Sequence, residues 1–283
     1  MINAIGLIKE FLEVDIELRN LTSNSRIKDA LSEVTEDWLK RADRVLMSPA
    51  NRNLVRSEGA GTMLDGKIIM HNGVRIAALS YYGGGMIHLL QSNKGSHEPE
   101  EELIFEQVAS VLGESPVMLE LGAYWGFYSL SLLNRKPKAK CILVEPDKKN
   151  LIAGKVNFRI NRRKGIFVNA YAGEKIDSFP ESVPALQVDE YLEINSIKDL
   201  DILHSDIQGG EAVMLRSASS TLKNKRVRFI FISTHWDEIH DECRQLIEDY
   251  DYEIRYDISP SSSYSYDGLI FASRDKGLST IKI

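Results

Sequence analysis

From Pro99 onward, short apolar runs alternate with stretches of helical period. "VMLEL", "CILVEP", "GIFVNA", "LDILHSD", "VRFIFIS", "YEIRYD" and "YDGLIFA" read as strands, and the segments 147–160, 211–223 and 237–249 have helical length and patterning between them. Runs rich in Val, Ile, Leu and Phe and joined by helices predict a mainly parallel sheet covered on both faces. Ligands of such sheets sit beyond the carboxyl ends of the strands, so the residues just after each run carry the candidate chemistry. Upstream the period changes. Ile5, Leu7, Ile8, Phe11, Leu12 and Ile16, then Trp38, Leu39, Ala42, Val45 and Leu46, repeat at three-to-four spacing and predict amphipathic helices that complete a core or a dimer face. Gly59, Gly61, Asp65-Gly66 and Asn72-Gly73 then punctuate "TMLDGKIIMHNGVRIAALSYY", which predicts β-hairpins. The expected organisation is a helical extension over 1–58, a hairpin or cap region over 59–98 and an α/β domain over 99–283.

"MLELGAYWGFYSLSLL" places Glu120, Gly122 and Gly126 where an apolar run stops and a helical pattern starts. Glycines there would let the backbone approach a ligand closely. Alone, E-x-G-x-x-x-G is a weak signal. It gains weight from Glu145, which ends the next strand about 20 residues on, where a carboxylate accepts from both hydroxyls of a ribose. A dinucleotide loop would show G-x-G-x-x-G, whereas the middle position here is Tyr124 and the turn begins with an acid. Glu120 would repel a pyrophosphate but hold a cationic amino group. S-adenosylmethionine offers that group, a ribose and no phosphate; an NAD-dependent oxidoreductase fits only Glu145.

At these residues the chain resembles the FkbM-type S-adenosylmethionine-dependent methyltransferases. The resemblance runs through "NKGSHEPEEELIF", "MLELGAYWGFYSLSLL", "CILVEPDKKNLIAGKVNFRIN", "PALQVDEYL", "DILHSDIQGGEAVML" and "FISTHWDEIHDEC", roughly residues 93 to 272. It implies a Rossmann-like class I methyltransferase fold, a seven-stranded mainly parallel sheet with helices on both faces and its last strand antiparallel, here with an N-terminal helical and β-hairpin extension. It also implies methyl transfer to a hydroxyl, of a sugar, glycan or secondary metabolite. Glu120, Gly122 and Gly126 match the first cofactor loop, to which Ala123 and Tyr124 also belong, and Ser129 opens the following helix. Glu145 matches the ribose-binding acid. Asn169 and Ala170 fall where such folds line the adenine, and Asp206 matches the acid beside the transferred methyl. The family's D-x-E-G pattern is altered here, with Gln208 in place of the glutamate.

An alcohol acceptor needs a base. His235 follows "VRFIFIS", and an unperturbed pKa of about 6.5 suits it to that work; its structural alternative is capping the next helix. Asp206 orients the acceptor or binds a divalent cation, or is merely a helix N-terminal acid. His204 shares a strand face with Asp206 and could support it, but reads more readily as a hydrogen-bonded core histidine. His97 and Glu98 stand on a loop entering a helix that Pro99 can begin, and with Tyr124, Trp125, His204 and Gln208 they complete the expected acceptor side. Capping also accounts for "GSHEPEEE", and packing for the aromatic group Tyr81, Tyr82, Tyr124, Trp125 and Tyr128. His240 lies five residues after His235, a spacing that does not stack two ligands on one helix face, and Cys243, three residues further, reads as a buried small hydrophobe rather than a metal ligand. A divalent metal is not favoured, because the fifth strand ends in Thr234-His235 and not in paired acids.

Lys and Arg total 35 against 41 acids, a formal net charge of -6, so nucleic acid is not an expected partner. The two cysteines, Cys141 and Cys243, fit a reducing compartment, and no apolar run approaches the ~18 residues of a membrane span. These features predict a cytoplasmic enzyme with a small-molecule or glycan hydroxyl acceptor, with a homodimer as one arrangement of the N-terminal helices. The rival is a scaffold protein that keeps the sheet without catalysis.

Overall fold

The computed structural model describes residues 4–173 and 183–275. Seven strands form one sheet: β4 (Val117–Leu121), β5 (Lys140–Val144), β6 (Ile166–Val168), β9 (Leu200–Ser205), β10 (Val227–Thr234), β11 (Glu253–Ile258) and β12 (Gly268–Ser273). Their order is β11-β12-β10-β9-β4-β5-β6. Only β12 runs against its neighbours. This is the expected class I arrangement, and each of its strands falls in one of the seven apolar runs. The order reverses between β4 and β9, so their carboxyl ends diverge and leave the crevice where α/β sheets take ligands.

The helices α5 (Pro99–Val111), α6 (Phe127–Arg135), α7 (Lys148–Ile160), α8 (Val188–Ile194), α9 (Glu211–Ser217), α10 (Ser219–Lys223) and α11 (Asp237–Asp249) belong to the same unit. The predicted helix 211–223 divides at Ala218, whose backbone N–H caps α9. One apolar cluster on the sheet, with Met118, Ile202, Phe229 and Phe231, runs without a break into Ile27, Ala42, Val45, Ile68 and Ile76 of the N-terminal part.

That part holds α1 (Ala4–Leu21), α2 (Asn24–Ser32), α3 (Glu36–Leu46), the strands β1 (Met63–Leu64), β2 (Lys67–Ile69) and β3 (Arg75–Ala77), and α4 (Gly83–Ser92). Asp65-Gly66 turns β1 into β2 as predicted. The side chains of Ile5 and Leu7 lie outside the described residues, as do residues 276–283 of the expected domain. Helix α4 is absent from the sequence reading because it begins with three glycines. Their reason is close packing. A Cβ on Gly84 would stand 2.5 Å from the Ala30 carbonyl carbon, and one on Gly85 2.5 Å from Cδ1 of Trp38, so α2 and α3 dock on bare backbone. A two-stranded pair, β7 (Tyr171–Ala172) with β8 (Ala185–Leu186), was also unforeseen. No helix among the described residues is long and apolar enough to cross a membrane.

Candidate active site

A cavity of about 550 Å³ opens at the carboxyl ends of β4, β5 and β9. It gathers Glu120, Gly122, Ala123 and Tyr124 after β4, Glu145 after β5, Ala170 after β6, and His204, Asp206 and Gln208 on or after β9. His97, Glu98, Trp125 and Tyr128 join them from the α5 and α6 side. A larger cavity of about 740 Å³, between Asn53–Ser57, α5 and α6, contains none of the residues singled out in the sequence.

Glu145 is buried, and its carboxylate is set by the turn around it. Oε2 accepts from the Tyr124 N–H at 3.1 Å, and Oε1 from the Asp147 N–H at 2.9 Å and the Asn150 amide at 3.4 Å. Burial raises its pKa, and these donors work against that rise. Glu120 points its Oε2 at the Ser129 N–H, 3.1 Å away at the start of α6, where the helix dipole favours an anion. Burial raises this carboxyl too.

Three predicted residues act indirectly. Ser129 is fully buried, and its backbone N–H, not its hydroxyl, supports Glu120. Asn169 spends its side-chain amide on the carbonyls of Glu145 and Pro146, at 3.0 and 2.7 Å, which holds the β5 loop. Gly126 lies away from the cavity lining, with a φ of 72° and Leu143 and Phe158 both 3.0 Å from where its Cβ would be. Gly122 lines the cavity at a φ of 74°, but an added Cβ would stand 2.7 Å from the Asp206 carbonyl carbon and closer still to its oxygen. The expectation that both glycines leave room for a ligand is therefore corrected: they let β4 pack closely against β9, β5 and α7.

Asp206 and His235 do meet. His235 Nε2 is 3.1 Å from Asp206 Oδ1, and its Nδ1 is 3.1 Å from Oε1 of the fully buried Glu211. Asp267, 3.6 Å from the same Nε2, adds a third acid, and the Gln208 amide lies 2.7 Å from that nitrogen. Burial alone would lower the His235 pKa, but the bonds to Asp206 and Glu211 overcome it and raise it to about 10. Three carboxylates around one imidazole favour its protonated form, which works against the expected role of His235 as general base. Asp206 is correspondingly lowered, since pairing with His235 outweighs its burial.

His204 is buried with its Nε2 2.8 Å from Glu101 Oε1, so it faces the helix α5 acids and supports Asp206 only through space. His97 and Glu98 both reach the cavity, and His97 contacts Glu98 at 3.3 Å and Glu102 at 2.6 Å. Glu98, Glu100, Glu101 and Glu102 are all buried. His240 is structural, bonded to Thr234 and Asp257 at 2.8 and 2.7 Å, and Cys243 is a buried free thiol.

Residues missed in the sequence include Glu211, Asp267 and Trp236. Asp267 stands at the start of the run "YDGLIFA", just ahead of β12, and is bound by Arg41 of α3 at 3.2 Å. Trp236 lines the cavity and is half-exposed at 52%, as is Tyr82 at 46%. Tyr81 stacks on Trp125 with ring centroids 4.4 Å apart, next to Tyr124 at 4.8 Å. The signal for Glu211 was its place in "QGGE", five residues after Asp206.

Residues 120–254 match the family model of the methyltransferase FkbM domain. Among solved structures the chain is similar to TrmK of M. capricolum in complex with S-adenosyl-homocysteine, at 14% identity over 62% of this chain and 71% of that one, with a TM-score of 0.41. It is also similar to precorrin-6y C5,15-methyltransferase from Geobacter metallireducens GS-15, at 14% identity over 62% and 89%, TM-score 0.42. A third is Aeropyrum pernix fibrillarin with natively bound S-adenosyl-L-methionine, at 14% identity over 60% and 74%, TM-score 0.41. No curated protein matches the chain in sequence.

Proposed function

Because the chain carries a methyltransferase FkbM domain over residues 120–254, with S-adenosylmethionine as its cofactor, we propose that it methylates a hydroxyl on a sugar, glycan or secondary metabolite in the cavity at the β4 and β9 ends. One observation carries the reading. Glu98, Glu120, Glu145 and Asp206 all line this cavity, and no Lys or Arg does among the described residues. Glu98 and Asp206 pair with His97 and His235, while Glu120 and Glu145 make no ion pair among the described residues, and a lining of this kind disfavours a phosphate and suits a cation.

The residues present fit S-adenosylmethionine. Glu145 would receive the ribose hydroxyls, since the backbone N–H groups of Tyr124 and Asp147 fix both its oxygens at the cavity wall. Glu120, anchored by Ser129, would face the ammonium group, and Ala170 would line the adenine. When bound, the cofactor supplies an electrophilic methyl group. The chain's own residues align the acceptor and take up its proton. Asp206 would accept a hydrogen bond from an acceptor hydroxyl, and the imidazolium of His235 holds Asp206 ionised and in place. The half-exposed Trp236 and Tyr82 offer flat apolar faces beside these polar groups, the combination that suits a sugar ring.

The test is incubation of the purified chain with methyl-labelled S-adenosylmethionine and a panel of sugars, nucleotide sugars and hydroxylated metabolites. Label transfer to oxygen supports the reading. Transfer confined to nitrogen or carbon acceptors, or none from a chain that binds the cofactor, would refute the hydroxyl assignment.

A further inference from the structure

Asp206, Glu211 and Asp267 surround His235 and favour its protonated form, so an acid of the cavity is the stronger candidate for the base that an alcohol acceptor needs. Its acids are not equivalent. Glu145 is held through both oxygens by backbone and amide donors. Glu120 faces the start of α6 through Ser129. Asp206 is ion-paired with His235, which makes it a weak proton acceptor. Glu98 differs. Its two close side-chain contacts, from the Tyr128 hydroxyl at 2.8 Å and His97 Nε2 at 3.3 Å, both fall on Oε2. No hydrogen bond among the described residues is made to Oε1, on a side chain that is buried and still lines the cavity.

We propose that Glu98 is the catalytic base of this site, a reading that rests on the methyl-transfer function above. The O–H bond of the acceptor breaks and its proton goes to the Glu98 carboxylate. The acceptor oxygen forms a C–O bond to the methyl carbon, and the C–S bond of the donor breaks with its electron pair left on sulfur. His97 and Tyr128 are positioning residues, which fix Oε2 so that Oε1 turns to the acceptor.

The charge environment agrees. The groups that act on Glu98 are His97 beside it, Glu101 on α5, Tyr128 on α6, Tyr81 before α4, Asp206 after β9 and Asp267 before β12. Burial raises the Glu98 pKa to about 7, with His97 pulling it down and the acids pushing it up. A base poised near working pH transfers protons most effectively.

The experiment uses the whole chain and its Glu98→Gln variant, with folding checked by circular dichroism. Infrared difference spectra over a pH titration should show a carboxyl that protonates near neutrality in the wild type and is missing from the variant. S-adenosylhomocysteine affinity should be the same in both. Label transfer to any acceptor found in the panel should fall by roughly 100-fold or more, and Glu98→Asp should restore part of it. A Glu98 that stays ionised below about pH 5, near the ordinary carboxyl range, would overturn the proposal, as would a Glu98→Gln variant that keeps more than about a tenth of the turnover. If the wild type fails to bind S-adenosylhomocysteine, the methyl-transfer reading fails instead, and the spectra still report on Glu98.

Discussion

Gly122→Ala tests the packing logic of the site. Gly122 has a φ of 74°, where an alanine costs about 1–2 kcal/mol. Its new Cβ would also stand 2.7 Å from the Asp206 carbonyl carbon and 3.1 Å from Ile207 Cγ2. To reach ordinary contact with that carbonyl's oxygen the loop after β9 must retreat by roughly 1.5 Å, and overpacking of this kind costs about 1–3 kcal/mol. That retreat strains the bond from the Asp206 N–H to the Leu121 carbonyl, now 2.9 Å, which joins β9 to β4. The sum, about 2–5 kcal/mol, should lower the thermal midpoint by roughly 3–8 °C in a chain of this size. Thermal melts by circular dichroism measure it, with Gly113→Ala as the control, since nothing lies within 4 Å of a Cβ there. A Gly122→Ala protein that melts with the wild type but loses cofactor binding would refute the packing account and restore the idea that this glycine leaves room for ligand.

Two further predictions concern charge and docking. The His235 pKa is raised to about 10 from 6.5, so the stability from its pairing is fully present below about 6.5 and lost as pH rises through about 10. In denaturant melts, the deficit of His235→Gln should be largest near pH 6 and shrink above pH 10; a deficit independent of pH would contradict the ion-pair account. Gly85→Val would force Trp38 off α4, so its tryptophan emission should shift to longer wavelength and its melting point fall. Unchanged emission and stability would mean that α3 does not dock there.

The sheet was legible because each strand is a continuous apolar run, a pattern that both-face burial imposes. The positions after those runs were legible for the same reason, so Glu120, Glu145 and Asp206 were found and meet at one cavity. What escaped depends on contacts distant in sequence. The glycines that open α4 look like a loop until Ala30 and Trp38 are seen against them. "PEEE" reads as the acidic first turn of a helix, yet His71 and His97 contact Glu102, and His204 contacts Glu101, beneath the surface. Asp267 acquires a role only when Arg41, 226 residues away, and His235 converge on it. The same convergence of acids favours the cationic form of His235, which its position after a strand does not reveal.

The most direct test is calorimetric titration of the chain with S-adenosylhomocysteine, beside Glu145→Ala. Loss of the carboxylate removes two ribose hydrogen bonds worth about 1.5 kcal/mol each. The account predicts micromolar binding by the wild type and roughly 100-fold weaker binding by the variant. No binding by folded wild-type protein, or a Glu145→Ala affinity within about twofold of it, would contradict the assignment of this acid-lined cavity to the cofactor.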